Sequence, residues 1–239
     1  AEGLVGRAFC PTSRAVHHLR RAGAEPLPHP TQEVLREVNG RAFCAALGQT
    51  LPGAVFARDL ETAKSMVGRM PTVAKQWRAK RAFTMAGRGQ RCIVPGPLSE
   101  ADTAFLRASI TSDGGVQIEP SVTIVRELGI HALLEQSGEL CLGRIVTQTC
   151  DEHGQWRSTS PAENVAAEVS DALTAEARRV ARALHGAGYF GPFGIDAFEW
   201  EDESGVMRLQ PRSEINARYS MGFAVGFGHE LCSATGASP

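Results

Sequence analysis

GPFGIDAFEWEDESGVMRLQPRSEINAR, residues 191–218, reads as two strands joined by a polar turn. Gly194 to Trp200 and Val206 to Ala217 carry the apolar alternation of strands, and Glu201-Asp202-Glu203-Ser204-Gly205 has the composition of a hairpin turn. Side chains alternate along a strand, so Glu214, Asn216 and Arg218 project from one face while Ile215 and Ala217 face the other. The preceding strand would pair antiparallel and set Asp196 across from that trio. Two carboxylates and an amide oxygen are hard donors that suit Mg²⁺, which keeps several waters and completes its shell with substrate phosphates. Arg218 beside them would neutralise phosphate charge. A lone Glu-x-Asn more often marks a solvated strand face; the Asp-bearing strand before it turns the reading toward a metal site.

Working backward, Val73 to Phe83 looks like a strand that carries Lys80, and Arg91 to Val94 looks like the strand that returns. The loop Thr84-Met85-Ala86-Gly87-Arg88-Gly89 lies between them. Its glycines let backbone amides approach phosphate, and Lys80, Thr84 and Arg88 add donors and charge. Walker A and GxGxxG patterns are absent, so the two commonest nucleotide folds are not supported. Val116 to Glu119 forms a strand closed by Pro120, which donates no ladder bond and turns the chain. Helices are expected over Ser13–Ala22, Thr31–Leu47, Leu98–Ile110 and Ala162–His185. The last has Val165, Val169, Leu173, Ala177, Val180 and Leu184 on one face. Paired strands are expected at His131–Glu135 and Leu140–Thr149. GRAFC occurs at 6–10 and again at 40–44, but nothing else recurs at that period. Strands and helices mix with hairpins dominant, an α+β pattern.

The 239 residues carry 25 basic and 26 acidic side chains for a formal charge of −1, so no broad field pulls toward nucleic acid or an anionic membrane. No run of about 18 apolar residues is present for a membrane span. Six cysteines are scattered without metal spacing, and no secretory signal is evident, which points to a reducing, cytoplasmic setting. The chain opens on Ala1 in mid-pattern, as a piece of a longer protein would.

Taken in order, Lys80 with TMAGRG, then IEP at 118–120, GPFGIDAF and PRSEINAR resemble the ATP-grasp fold of carboxylate–amine and carboxylate–thiol ligases. The resemblance spans residues 39–223. It implies two α+β subdomains gripping ATP: a lid over about 70–115 and a metal-binding part over about 116–223. Residues 1–38 would be the remnant of a preceding substrate-side domain, and 224–239 a C-terminal tail. By that resemblance Asp196, Glu214 and Asn216 would hold Mg²⁺ against ATP. Lys80 would contact phosphate under a mobile loop of Thr84, Gly87, Arg88 and Gly89. Glu119 would begin the adenine hinge, and Glu127 falls where the family places a ribose-binding acid. Arg218 would meet the acyl phosphate or the substrate carboxylate. The family usually carries a phosphate-binding lysine before the lid, and here Asn39-Gly40-Arg41 puts Arg41 in its place. Arginine keeps the charge and can bind phosphate bidentately.

The reaction so implied joins a small-molecule carboxylate to an amine through an acyl phosphate. A kinase of the same fold and an ATP-binding module without catalysis are the alternatives. The substrate-side domain is usually longer, so an N-terminal lobe outside these residues or a second copy of the chain is expected to complete it. His17 and His18 are adjacent on a helix and face different ways, a poor metal pair. Cys150 sits near Asp151 and Glu152, whose charge raises a thiol pKa and argues against a reactive thiolate. The basic run Lys75, Arg78, Lys80 and Arg81 reads as a phosphate-binding lid strand or a solvated edge.

Overall fold

Residues 3–48, 51–84, 89–151 and 155–227 are described by the structure, a computed structural model of the chain. At the N-terminus β1 (Val5–Gly6) and β2 (Glu25–Pro26) pair in parallel around α1 (Ser13–Arg21). Thr12 caps α1, its hydroxyl accepting from the Ala15 N–H at 3.3 Å. The helix expected over Thr31–Leu47 is two helices, α2 (Gln32–Val38) and α3 (Arg41–Ala46). The break at Asn39-Gly40 has a local cause. The Asn39 side chain donates to the Leu35 and Ala217 carbonyls at 2.9 and 3.2 Å, and it accepts from the Ala217 N–H at 3.0 Å. A Cβ on Gly40 would stand 3.2 Å from the Glu37 carbonyl and from the Phe83 ring, so the bend brings bare backbone against that ring. The two GRAFC copies therefore fold differently: one follows a strand and the other opens α3.

The next elements are β3 (Val55–Ala57), α4 (Leu60–Val67), β4 (Trp77–Arg81), β5 (Gln90–Ile93), α5 (Glu100–Asp113) and β6 (Val116–Pro120). Their strands form an antiparallel sheet in the order β3-β6-β4-β5. One face of that sheet, with Trp77, Ala79, Ile93, Val116 and Ile118, packs on α4 and α5 through Ala63, Val67 and Leu106. Lys80 and Glu119 point from the other face. β4 is shorter than the strand expected over Val73–Phe83. β6, expected to open the second subdomain, instead lies between β3 and β4. Gly114 ends α5 in the left-handed conformation at φ 75° and turns the chain back into this sheet. β3 and α4, which precede the expected lid, join it too.

The remaining elements are β7 (Thr123–Leu134), β8 (Leu140–Cys150), β9 (Trp156–Pro161), α6 (Ala167–Gly186), β10 (Gly191–Glu201), β11 (Met207–Asn216) and the short α7 (Phe223–Phe227). The strands form a second sheet in the order β11-β10-β7-β8-β9. α6 starts later than its apolar pattern implied: residues 162–166 form the connection from the edge strand β9, with Asn164 in the left-handed region at φ 51°. Leu173, Ala177, Val180 and Leu184 of α6 are buried under this sheet with Ile130, Ile195 and Ile215. Leu35 and Val38 of α2 share that core, while Gln32 at its start accepts from the Ser13 N–H and donates to the Pro11 carbonyl, so α2 joins the N-terminal unit to the large sheet. Among the described residues, no helix is long and apolar enough to cross a membrane.

Two buried polar groups lock the large sheet. Between β10 and β11 the register slips: Asp196 is opposite Glu214 but Phe198 is opposite Gln210, so three residues of β11 oppose one of β10. The slip turns Arg212 onto the helix side, fully buried. Its Nε donates to Glu176 Oε1 at 2.6 Å, and its terminal nitrogens donate to the Cys44 and Gly48 carbonyls at 2.6 and 3.0 Å. Burial acts to raise the Glu176 pKa, but bonds from Arg179 and Arg212 outweigh it, leaving the carboxyl below its usual range. On the opposite face His131 is 2% exposed, and Cβ atoms on Gly194, Gly222 and Gly226 would stand 2.8 to 3.0 Å from its ring. Burial holds that imidazole down to about 4.

Arg212→Met keeps the stem but leaves Glu176, Cys44 and Gly48 without the guanidinium. It is expected to cost about 3 kcal/mol in urea unfolding, and a loss below about 1 kcal/mol would refute the clamp. His131 is neutral when folded and protonates near 6.5 when unfolded, so the unfolded chain binds the extra proton between those values. The His131 contribution to stability is therefore constant well above pH 6.5 and falls by roughly 3 kcal/mol as pH drops toward 4. Urea midpoints of wild type and His131→Gln across pH 4–8 check this, with the variant expected to lose that part of the slope.

Candidate functional site

The free faces of the two sheets enclose a polar cleft of about 210 Å³. Alternation from the buried Ile195 and Ala197 puts Asp196 on the cleft side of β10. The same logic from Ile215 and Ala217 puts Glu214 and Asn216 there on β11. Asp196 and Glu214 are Cα partners, and Gly194 pairs with Asn216. Asp196 Oδ1 accepts from Gln148 Nε2 and Oδ2 accepts from Asn216 Nδ2, both at 2.9 Å. Burial pushes the Asp196 pKa up against those two bonds, and the Glu127 charge adds to the rise. Asn216 Oδ1 in turn accepts from Arg218 at 2.7 Å, which gives a chain Arg218–Asn216–Asp196 across the strands.

Arg41, at the start of α3, reaches into the cleft from below the small sheet. Its guanidinium donates to Glu214 Oε2 at 2.7 Å, to the Arg81 carbonyl at 2.7 Å and to Thr84 Oγ1 at 2.9 Å. Its Nε is buried without a partner. Lys80 Nζ stands 2.5 Å from Glu119 Oε1. Glu127 Oε2 accepts from Cys150 Sγ at 3.1 Å. Burial, then that bond and the Glu127 charge, push the thiol up to about 12. The direction matches the sequence reading, but Glu127 across the ladder outranks Asp151.

The structure thus gathers Arg41, Lys80, Thr84, Glu127, Asp196, Glu214, Asn216 and Arg218 around one cleft. Glu119 is buried behind Lys80 and does not line it. Gly89 closes the lid loop at φ 66°, where a Cβ would meet Thr84 Cγ2 at 2.4 Å, so only glycine fits. Gly87 and Arg88 lie outside the described residues. Arg78, from the basic run read as a lid strand or solvated edge, also lines the cleft, as do Gln148 and Trp156, which were not singled out from sequence. Gln148 and Trp156 sit on strands without a motif, so only their pairing register brings them in. Four cationic and three acidic side chains line the cleft among the described residues, which leaves it net positive and suited to an anion. Among the described residues, no group of three or more His, Cys, Asp or Glu converges as a cage. Two hard carboxylates opposed in register fit a magnesium ion that takes its other ligands from water and phosphate.

No protein-family model matches the sequence, and no curated protein matches it. Solved structures do. Biotin carboxylase from Campylobacter jejuni, in a β,γ-ATP complex, aligns with a TM-score of 0.65 at 15% identity over 91% of this chain and 48% of that one. The biotin carboxylase domain of Hydrogenobacter thermophilus 2-oxoglutarate carboxylase, bound to MgADP, ADP and bicarbonate, gives 0.61 at 14% over 95% and 49%. D-alanyl-alanine synthetase A from Vibrio cholerae gives 0.59 at 17% over 92% and 66%. The chain has the ATP-grasp fold, and it spans about half the length of the first two of these structures.

Iodoacetamide at pH 8 is expected to label the exposed Cys92 and Cys141 well before Cys150. Glu127→Gln removes a raising charge and should speed Cys150 labelling, by roughly tenfold for each pKa unit the thiol falls. Mass spectrometry of labelled peptides reads both, and an unchanged Cys150 rate would refute the Glu127 pairing.

Proposed function

We propose that this chain carries the ATP site of a ligase that joins a carboxylate to an amine through an acyl phosphate. The observation that carries the reading is the register pair Asp196–Glu214, which faces Lys80 across the cleft and is followed on the same strand face by Asn216 and Arg218. Asp196, Glu214 and Asn216 would hold magnesium, whose charge, when bound, offsets that of the nucleotide phosphates. Lys80 and Arg41 would bind phosphate oxygens, with Thr84 beside them. Arg218 would hold the substrate carboxylate in line with the γ-phosphorus. A carboxylate oxygen attacks that phosphorus, the bond to the bridging oxygen of ADP breaks, and the acyl phosphate forms. The amine then attacks the acyl carbon, phosphate leaves with the C–O bond electrons, and the nitrogen gives up its proton. Arg218 and Lys80 would stabilise the charge that develops on the transferring group. Water exclusion by the lid would protect the acyl phosphate from hydrolysis.

The Arg41–Glu214 ion pair favours one second reading, an ATP-binding module without turnover, because the guanidinium already occupies one carboxylate. Release of ADP on addition of acid and amine separates the two.

Mg-ATP at about 100 times its Kd should stabilise wild type by roughly 2.7 kcal/mol. Glu214→Ala should fold, lose most of that gain and release no phosphate in any acid and amine mixture. Full Mg-ATP stabilisation and turnover in the variant would refute the assignment.

A further inference from the structure

A second cavity of about 830 Å³ opens from the reacting end of the cleft, sharing Thr84, Glu214, Asn216 and Arg218 with it. Its walls combine two aromatic rings with two arginines in one arrangement. Arg218 Cζ stands 5.6 Å over the Phe9 ring, and Arg36 Cζ stands 5.0 Å over the Phe83 ring. Phe9 and Phe83 are 50% and 37% exposed, large apolar side chains turned to the cavity where a folded chain would ordinarily cover them. Leu35 and Ile215 extend the apolar wall. The wall's amide side chains are already bonded within the protein: Gln32 to Ser13 N–H and the Pro11 carbonyl, and Asn39 to Leu35 and Ala217.

Neither arginine forms an ion pair with a carboxylate among the described residues; Arg218 meets the Asp196 charge only through Asn216. Arg218 donates only to the Asn216 amide oxygen and the Tyr219 carbonyl. Arg36 rests on its ring. The one carboxylate lining the cavity, Glu214, is paired with Arg41. The walls therefore offer two guanidinium edges to an acceptor and no acid to receive a cation. A free α-ammonium placed here would face two like charges without a counter-ion, whereas a carboxylate with an apolar body meets both kinds of wall.

We infer that this cavity seats the acid substrate, and that the acid is one with an aromatic or branched apolar body and no ammonium group, its α-nitrogen being absent or acylated. Arg218 takes the carboxylate that reacts. Arg36 takes a second acceptor, such as an acyl carbonyl, and Phe9, Phe83 and Leu35 take the body. The inference rests on the ligase reading for which end of the acid reacts, but the cavity's preference among acids is measured without turnover.

The test is calorimetric titration of the full chain with N-acetyl-L-phenylalanine, L-phenylalanine and acetate, each with and without Mg-ADP. N-acetyl-L-phenylalanine is expected to saturate at least tenfold more tightly than either of the others. Arg36→Gln and Phe9→Ala are each expected to weaken it at least fivefold while Mg-ADP still raises the melting temperature as in wild type. Equal binding of L-phenylalanine, equal binding of acetate, or unchanged affinity in both variants would overturn the inference, with the nucleotide site untouched. Absence of any Mg-ADP stabilisation in wild type would overturn the ligase reading instead. Tight, Arg36-dependent binding of N-acetyl-L-phenylalanine in that same protein would still uphold the cavity's preference.

Discussion

Arg212 is the side chain on which the geometry of the large sheet turns. Strict alternation along β11 would place Gln210, Arg212, Glu214 and Asn216 on one face, and Arg212 would then crowd the cleft. The register slip opposite Ala197 breaks that alternation and sends the guanidinium down among α3 and α6. A buried arginine is tolerated only where its donors are satisfied. Glu176, Cys44 and Gly48 satisfy them, and so fix where α3 and α6 lie against the strand. Past the slip the pairing resumes with Asp196 opposite Glu214. One misplaced register would put Ile215 in the cleft and Glu214 in the core. The carboxylate pair thus depends on a cation that never approaches it.

The same α3 that receives Arg212 through Cys44 also presents Arg41 at its first turn, bonded to Glu214 on the cleft side. α3 is consequently held to β11 from both faces of the sheet. Arg41 extends that hold to the small sheet through the Arg81 carbonyl and Thr84. One guanidinium therefore touches the base of the lid loop and a proposed magnesium ligand together. An anion entering the cleft would compete for Arg41, and a cation would compete for Glu214. Arrival of both together replaces the ion pair without leaving either charge buried and alone.

Much of this was legible because strands advertise their faces. The alternation in 214–218 and the polar turn at 201–205 give the hairpin, its cleft face and the opposition of Asp196 and Glu214, all from local pattern. Lys80 and Thr84 follow from a glycine-bearing turn between two apolar runs. What the pattern does not contain is long-range pairing. Nothing in Val116–Pro120 says whether it joins the strands before it or after it, since its residues suit either sheet. The Asn39-Gly40 break lies inside a good helical pattern, and the residues that cause it, Ala217 and Phe83, are distant in the chain. Lys80 was legible as a cation but its partner Glu119 was not, because a salt bridge across neighbouring strands depends on register. Arg212 was illegible for a related reason: a bulge inverts the face that alternation assigns.

Arg78 aside, the cations of the cleft and the adjoining cavity divide into two kinds, and the division carries chemical meaning. Arg41 and Lys80 each rest on a carboxylate, so the protein itself neutralises them until a more highly charged anion displaces the acid. Arg218 and Arg36 are held by neutral contacts: an amide oxygen, a carbonyl and aromatic faces. Such contacts fix a guanidinium in place without cancelling its charge. A polyphosphate with bound metal carries enough charge to compete with Glu119 and Glu214, whereas a monocarboxylate does not. The weaker anion needs cations already set free. The neutralised pair lies in the cleft between the sheets together with Arg78, which donates to the Ser121 hydroxyl, while Arg218 and Arg36 line the apolar cavity beyond it. That distribution sorts the two anions by charge density: polyphosphate goes to the cleft and carboxylate to the cavity. It leaves Arg218, which lines both, at the one place where they meet.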